Sequence, residues 1–307
     1  MKVLIYLFFF LNLQAVYAQD ILSPKYIMLN ISNDLVDKTD YYYTSGLALT
    51  FKHPFLRKNP FNKLIPALPK ARDKIYGLTI TQDIYTPVNV DTVGYIPSDR
   101  PYVATLMLYM QKTSFQPNRR LRLSSGLGLG FIGNIALGEQ AQNGFHNLIH
   151  NNINEGWYNQ LDNKLLLNYD FSLQKGLHVD KNNRFIAVAE AEAGNLRTNI
   201  GFGYLWQVGK LAPYFESYTY KKGGQKFYFS VFLDVKFKLI LFDATIIQPD
   251  NLNRPTYALN NFLFHSRVGI SMMYARFTVL FIQNFLSPEF STGFTHRYGS
   301  LQLAYRF

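Results

Sequence analysis

The chain closes on SLQLAYRF, Ser300–Phe307. Leu301, Leu303, Tyr305 and Phe307 are apolar or aromatic, and Gln302, Ala304 and Arg306 between them are polar or small. Chain ends usually carry polar residues and fray into water. A terminus that keeps a period of two up to its last ring reads as a β-strand with one apolar face. A closed barrel gives such a strand its reason, because the last strand must pair with the first and the outward side chains of both meet lipid.

The same period recurs upstream. In RLRLSSGLGLGF, Leu121, Leu123, Leu127, Leu129 and Phe131 share one face, and Arg122, Ser124, Gly126, Gly128 and Gly130 share the other. In YYTSGLALTF, Tyr43, Leu47, Leu49 and Phe51 alternate with Thr44, Gly46, Ala48 and Thr50. Leu165, Leu167, Tyr169, Phe171 and Leu173 form a third apolar face, and Ile200, Phe202, Tyr204, Trp206 and Val208 a fourth. A soluble sandwich also alternates. Segments of about ten residues or more, the length a tilted strand needs to cross a bilayer, favour a membrane barrel. So do glycine, serine and charge on the polar face, and aromatic rings crowded at segment ends. The final Phe preceded by alternating apolar residues also resembles the C-terminal signature of bacterial outer-membrane proteins.

The expected fold is therefore an all-β, antiparallel transmembrane barrel of about twelve strands. They lie near 25–32, 42–51, 74–83, 101–112, 120–132, 163–175, 184–194, 199–208, 226–237, 263–274, 276–286 and 297–307. Residues 1–18 read as a secretory signal peptide, with Lys2, an apolar run from Val3 to Leu11 and small residues before the cut. Residues 19–307 then form one domain. The chain has no cysteine, so no disulfide staples the exported fold. The net charge of +11 suits an acidic partner. Export argues against nucleic acid and for phosphorylated glycolipid headgroups in the outer membrane.

An even strand number puts both termini in the periplasm and the odd-numbered connections outside. The first three of these are 33–41, 84–100 and 133–162. The third is long enough to be functional. It is helical in part, with Ala141, Phe145 and Leu148 on one stripe and Glu139, Gln142, His146 and Asn147 beside it. His146 and His150 share a helix face, a spacing open to metal binding, but HNLIH lacks the Glu of a zinc protease motif. No G-x-S-x-G elbow, P-loop or dinucleotide fingerprint occurs. A serine triad is set by geometry rather than sequence order and stays open. The rim segment SNDLVDKTD gathers Asn33, Asp34, Asp37 and Asp40, either an oxygen-ligand set for calcium or an ordinary polar loop. The connection 52–73 is long for a periplasmic turn and suggests no function.

NDLVDKTDYYYTSGL (33–47), QDIYTP (82–87), DRPY (99–102), LGEQAQNGFHNLI (137–149) and GWYNQL (156–161) occur in an order that resembles the outer-membrane lipid A 3'-O-deacylases, the LpxR-like family. The resemblance implies a twelve-stranded barrel and a calcium-dependent ester hydrolase that removes the 3'-linked acyloxyacyl group of lipid A. It makes His146 the general base and Asp34, paired with Asn33, a calcium ligand. Gln142, Glu139 and Thr44 match further polar positions of the family's site. The chain departs from the family at His150 and at Val103 and Ala104, which touches substrate fit rather than the base. The reaction expected is attack by a His146-activated water on the ester carbonyl, with calcium near Asp34 as Lewis acid and Asn33 or Gln142 donating to the oxyanion. The enzyme would act on lipopolysaccharide from the extracellular side, as a monomer. Readings from other classes are a porin-like barrel without catalysis and an outer-membrane phospholipase A.

Overall fold

Alternating side chains become a wall when every strand finds two antiparallel neighbours. A computed structural model of the chain describes residues 23–33, 41–90, 96–149, 153–217, 226–247 and 257–307. The proposed signal peptide and the loop residues Asp34, Asp37 and Asp40 lie outside these, as does His150. The strands are β1 (Tyr26–Asn33), β2 (Tyr42–Lys52), β3 (Asp73–Thr86), β4 (Val103–Gln116), β5 (Leu121–Ile132) and β6 (Lys164–Val179). They continue as β7 (Asn183–Gly194), β8 (Arg197–Lys210), β9 (Phe227–Asp243), β10 (Phe262–Tyr274), β11 (Phe277–Leu286) and β12 (His296–Arg306). Each pairs with its chain neighbours, and β12 closes on β1 with Leu303 opposite Leu29 and Arg306 opposite Tyr26. All twelve expected strands exist. The largest difference in length is at β9, which runs on to Asp243 past a register break beside Thr198 and Asn199. No helix among the described residues is long and apolar enough to cross a membrane.

The outward row on β12 is Leu301, Leu303, Tyr305 and, just beyond it, Phe307, which stacks on Phe51 and His53 at ring separations of 6.1 Å. Leu47, Leu49, Leu129, Leu165, Leu167, Phe202, Phe237 and Ile270 are exposed on the same outer surface, as a lipid-facing wall requires. One face assignment fails. Tyr43 turns inward, donating to Asp83 Oδ1 at 2.9 Å, although Leu47, Leu49 and Phe51 point out. A β-bulge at Thr44 inserts one residue between Tyr43 and Ser45, and an inserted residue reverses the parity of everything beyond it.

The described part of the lumen is crowded with paired charges. Arg267 pairs with Asp234, Lys236 Nζ lies 2.5 Å from Glu190 Oε1, and Arg197 Nε lies 2.9 Å from Asp243 Oδ2. Charges withdrawn from water are tolerated only when paired in this way. At the end bearing the chain termini, Tyr214 and Phe215 fold into the lumen beneath Arg122 and Arg184, whose guanidinium carbons stand 4.9 and 4.3 Å from the Tyr214 ring. At the opposite end the buried Arg100 binds Glu289 at 3.0 Å and stacks on Tyr85. Between these two clusters lies a polar cavity of about 80 Å³, lined among others by Asp83, Asp170, Glu190, Arg197 and Arg267.

Two connections pack on the outside of the wall. The first, 53–72, lies against β3 to β6 near the termini. The second, 133–163, carries the helix α1 (Gly138–Ile149) and covers β3 and β4 at the opposite end.

Candidate functional site

Gly138, Gln142 and His146 recur every four residues of α1 and so share one face. That face is buried, whereas Ala141 and Leu148 of the apolar stripe are exposed. A helix on a soluble core buries its apolar stripe. Here the polar Gln142 and His146 are turned to the protein, and the exposed side mixes Ala141 and Leu148 with Gln140 and Asn147. Ile135, Leu137 and Leu148 extend the apolar outer surface beside it.

Contact between helix and wall depends on Gly138. A Cβ there would stand 2.4 Å from Ala104 Cβ and 2.7 Å from the Trp157 ring. Ala104, Ile84 and Leu106 are the outward residues of β3 and β4 beneath the helix, and Tyr102, Ala136 and Trp157 complete the packing. Gln82 Nε2 donates to Ala136 O at 2.7 Å, which fixes the approach to α1. Asn143 Oδ1 accepts from Asn154 N at 3.0 Å and ties the helix to its return segment.

Trp157 is the residue that sequence reading passed over, although it stands in the GWYNQL element. Its ring is 1% exposed, and its Nε1 donates to Gln142 Oε1 at 2.7 Å. That bond settles the amide orientation, since an indole N–H needs an acceptor. Gln142 Nε2 is then a buried donor with no hydrogen-bond partner among the described residues. One turn further on, His146 is buried next to it on the same face, and Glu139 is half-buried in the first turn.

Asn33 and Thr44 come together on β1 and β2. Asn33 Nδ2 donates to Thr44 O at 2.8 Å, and the Thr44 and Thr86 hydroxyls stand 2.5 Å apart. The bulge turns Thr44 outward, onto the face that Thr86 occupies on β3. Asn33 pairs with Ser45, Ser45 with Ile84, and Ile84 with Ala104 beneath α1. Three strand spacings, about 14 Å, separate the Asn33 and Ala104 backbones. The two groups of predicted residues thus share one outer surface at one end of the barrel. The expected metal ligand, Asp34, directly follows Asn33 but lies outside the described residues. Among the described residues no group of three or more histidine or acidic side chains is placed to hold a metal.

Asp99, of the DRPY element, serves the backbone. Its Oδ2 accepts from Val88 N at 2.6 Å and its Oδ1 from Arg100 N at 2.7 Å. Burial raises its pKa against the pull of those two bonds. Burial likewise raises that of Glu289, despite the Arg100 guanidinium beside it. The other elements of the resemblance divide between helix and barrel end: Tyr102 packs on Trp157 at 5.1 Å between ring centroids, and Arg100 pairs with Glu289.

Compared with known proteins, the sequence matches the family described as outer membrane protein LpxR over residues 3–307. No curated protein sequence matches it. Among solved structures, LpxR from Salmonella typhimurium superposes with a TM-score of 0.75 at 20% identity, covering 92% of this chain and 100% of that one. The β domain of the Bordetella autotransporter BrkA, at 9% identity and a TM-score of 0.45, covers 92% of this chain and 99% of its own. A family match over nearly the full sequence, together with a closed twelve-stranded wall, settles the assignment: this chain belongs to the LpxR family of outer-membrane proteins.

Proposed function

We propose that the chain is a lipid A 3'-O-deacylase that works from the outer leaflet of the outer membrane. The observation that carries this reading is the direction of α1. Its chemistry-bearing face is turned to the outer wall, on the same surface and at the same end of the barrel as Asn33, Thr44 and Thr86. A lipid reaches such a site sideways from its own leaflet, with its acyl chains along the exposed Leu148, Ile135 and Leu137. A solute crossing a pore would not meet it. An even number of strands directs the termini to the periplasm and α1 to the cell exterior, where lipid A resides.

His146 takes a proton from a water molecule as that water attacks the ester carbonyl. An imidazole suits this step because its ordinary pKa lies near the working pH. The Nε2 amide of Gln142, held in place by Trp157, donates to the oxygen on which negative charge develops. Pre-orientation matters because the amide then needs no rearrangement when the charge forms. The described part of the Asn33–Thr44–Thr86 cluster offers oxygen donors, the ligand type a hard cation takes. Asp34 with Asn33 would hold calcium there. When bound, that ion supplies positive charge to the developing oxyanion. Phosphates of the substrate are met by the excess of lysine and arginine.

The test is mass spectrometry of lipid A from cells expressing the wild type or His146→Ala. The wild type removes the 3'-linked group. The variant leaves it in place while its barrel stays heat-modifiable on gels, with a loss of about 100-fold or more, the range for a general base. Full deacylation by the variant ends the assignment of the base. Lysophospholipid formed in place of deacylated lipid A transfers the chain to the phospholipase reading.

A further inference from the structure

Residues 53–72 take no part in that chemistry, yet they are built onto the wall with care. Strand parity places them outside. Lys112, Ser114 and Ser125 stand on the outward rows of β4 and β5, positions that ordinarily face lipid and tolerate charge poorly. The segment covers them. Lys112 Nζ donates to Asn62 O at 2.5 Å and to Ile65 O at 2.6 Å, and Ser125 Oγ donates to Pro66 O at 2.5 Å. Ser114 Oγ accepts from Leu68 N at 2.9 Å, and Ile65 is buried against Leu78, Met110, Leu127 and Tyr169. Irregular backbone at membrane depth requires such partners. Pro54, Pro60, Pro66 and Pro69 help further, since each removes an N–H that lipid could not satisfy.

What the segment turns away from the wall has a definite chemistry. Phe55, Phe61 and Leu64 are exposed apolar side chains, and Arg57, Lys58, Lys63, Lys70 and Arg72 are exposed cations. No acidic residue occurs from Lys52 to Arg72. A cleft of about 410 Å³ opens between the end of the segment and the β4–β5 turn, lined by Pro69, Lys70, Arg72, Gln116, Pro117, Asn118 and Arg119. Three of its walls are cationic and none is acidic. Asp73 and Glu216 stand beside Arg72 at 3.9 and 4.0 Å, at the edge of the cleft.

We propose that this cleft binds the headgroup phosphate of anionic glycerophospholipids, with Phe55, Phe61 and Leu64 set in the hydrocarbon beside it. Apolar side chains interleaved with cations are what a monotopic interfacial segment presents to an anionic leaflet. The site lies on the membrane-facing wall at the end bearing the termini, away from α1. It rests on the barrel spanning a membrane and not on the hydrolase reading, so either can fail alone.

The test is native mass spectrometry of the folded full-length barrel, released from neutral detergent with equal amounts of phosphatidylglycerol and phosphatidylcholine. Phosphatidylglycerol adducts are expected to persist after phosphatidylcholine is stripped. In Lys70→Gln/Arg72→Gln/Arg119→Gln their affinity falls about 100-fold, at about fivefold per cation removed. Phosphatidylcholine retention stays as before. Lys181→Gln/Lys210→Gln, which removes cations elsewhere at the same end, leaves the preference intact. Heat-modifiability confirms that each variant is folded. Equal retention of the two lipids by the wild type overturns the proposal. So does a triple variant that keeps phosphatidylglycerol, or a control pair that loses it equally.

Discussion

Two stretches of this chain leave the strand pattern and lie on the same sector of outer wall, one at each end. At the end away from the termini, α1 meets β3 and β4 through Gly138, Ala104 and Trp157. Near the termini, residues 53–72 meet β3 to β6 through Ile65 and three outward polar side chains. The second contact spends its polar groups on itself: the Lys112 ammonium serves two carbonyls, and Ser114 and Ser125 each serve a backbone partner. Each also buries a polar atom without a partner among the described residues, Gln142 Nε2 at the first and Gln116 Oε1 at the second. The leftover groups differ in kind: Gln142 Nε2 is a donor one helical turn from the buried His146, and Gln116 Oε1 is an acceptor at the edge of the basic cleft. What separates the two contacts is the surroundings of the unpaired group, since both are rich in polar side chains.

Substitutions should therefore act on activity at one end and on stability at the other. Gly138→Val is expected to have the largest effect. Its side chain would collide with Ala104 and Trp157, lift α1 from the wall and lower deacylation about 100-fold, the scale for ångström displacements of catalytic groups. The urea midpoint of the barrel should barely move; a large loss of stability with activity kept would reverse the comparison. Lys112→Met should do the opposite. It strands two carbonyls, each costing about 1–3 kcal/mol when left unpaired, and the loss is read by urea titration in micelles with lipid A deacylation unchanged.

Trp157→Phe sharpens the first half of the contrast. It keeps most of the packing but removes the indole N–H that orients Gln142, so kcat should fall about 3- to 10-fold, the worth of one hydrogen bond. A drop seen in KM alone would place Gln142 in binding. The smallest effect is expected at Asp99. Burial raises its pKa above that of the unfolded chain, so the folded state holds its proton more tightly. Stability contributed through this group is present below the unfolded carboxylate pKa and falls as pH rises through the raised one. Asp99→Asn removes that part of the slope, although Glu289 keeps a slope of the same sign. Unfolding followed from acid to neutral pH checks this, and an unchanged slope refutes it.

The residues singled out from the sequence, Asn33, Thr44, Gln142 and His146, fall on one outer surface at one end, a juxtaposition no local period shows. Trp157 was not legible as a support, because a lone tryptophan carries no period and its partner lies fifteen residues away in sequence. The role of Asp99 in the DRPY element, capping backbone N–H groups, also depends on neighbours that the sequence does not show. The face of Tyr43 was misread because a bulge leaves no mark in the alternation of the strand that contains it.

The sequence by itself determined the wall: twelve alternating segments, a terminal strand that must close on the first, and which rows meet lipid. These follow from a local period, and side-chain direction in a strand is a local property. Only the tertiary structure decided which side of that wall the two long connections occupy. An irregular segment has no period to orient it. Its place depends on distant groups that satisfy its backbone, here Lys112, Ser114 and Ser125 facing out at one end, and on whether a helix can approach, here through Gly138 against Ala104 at the other.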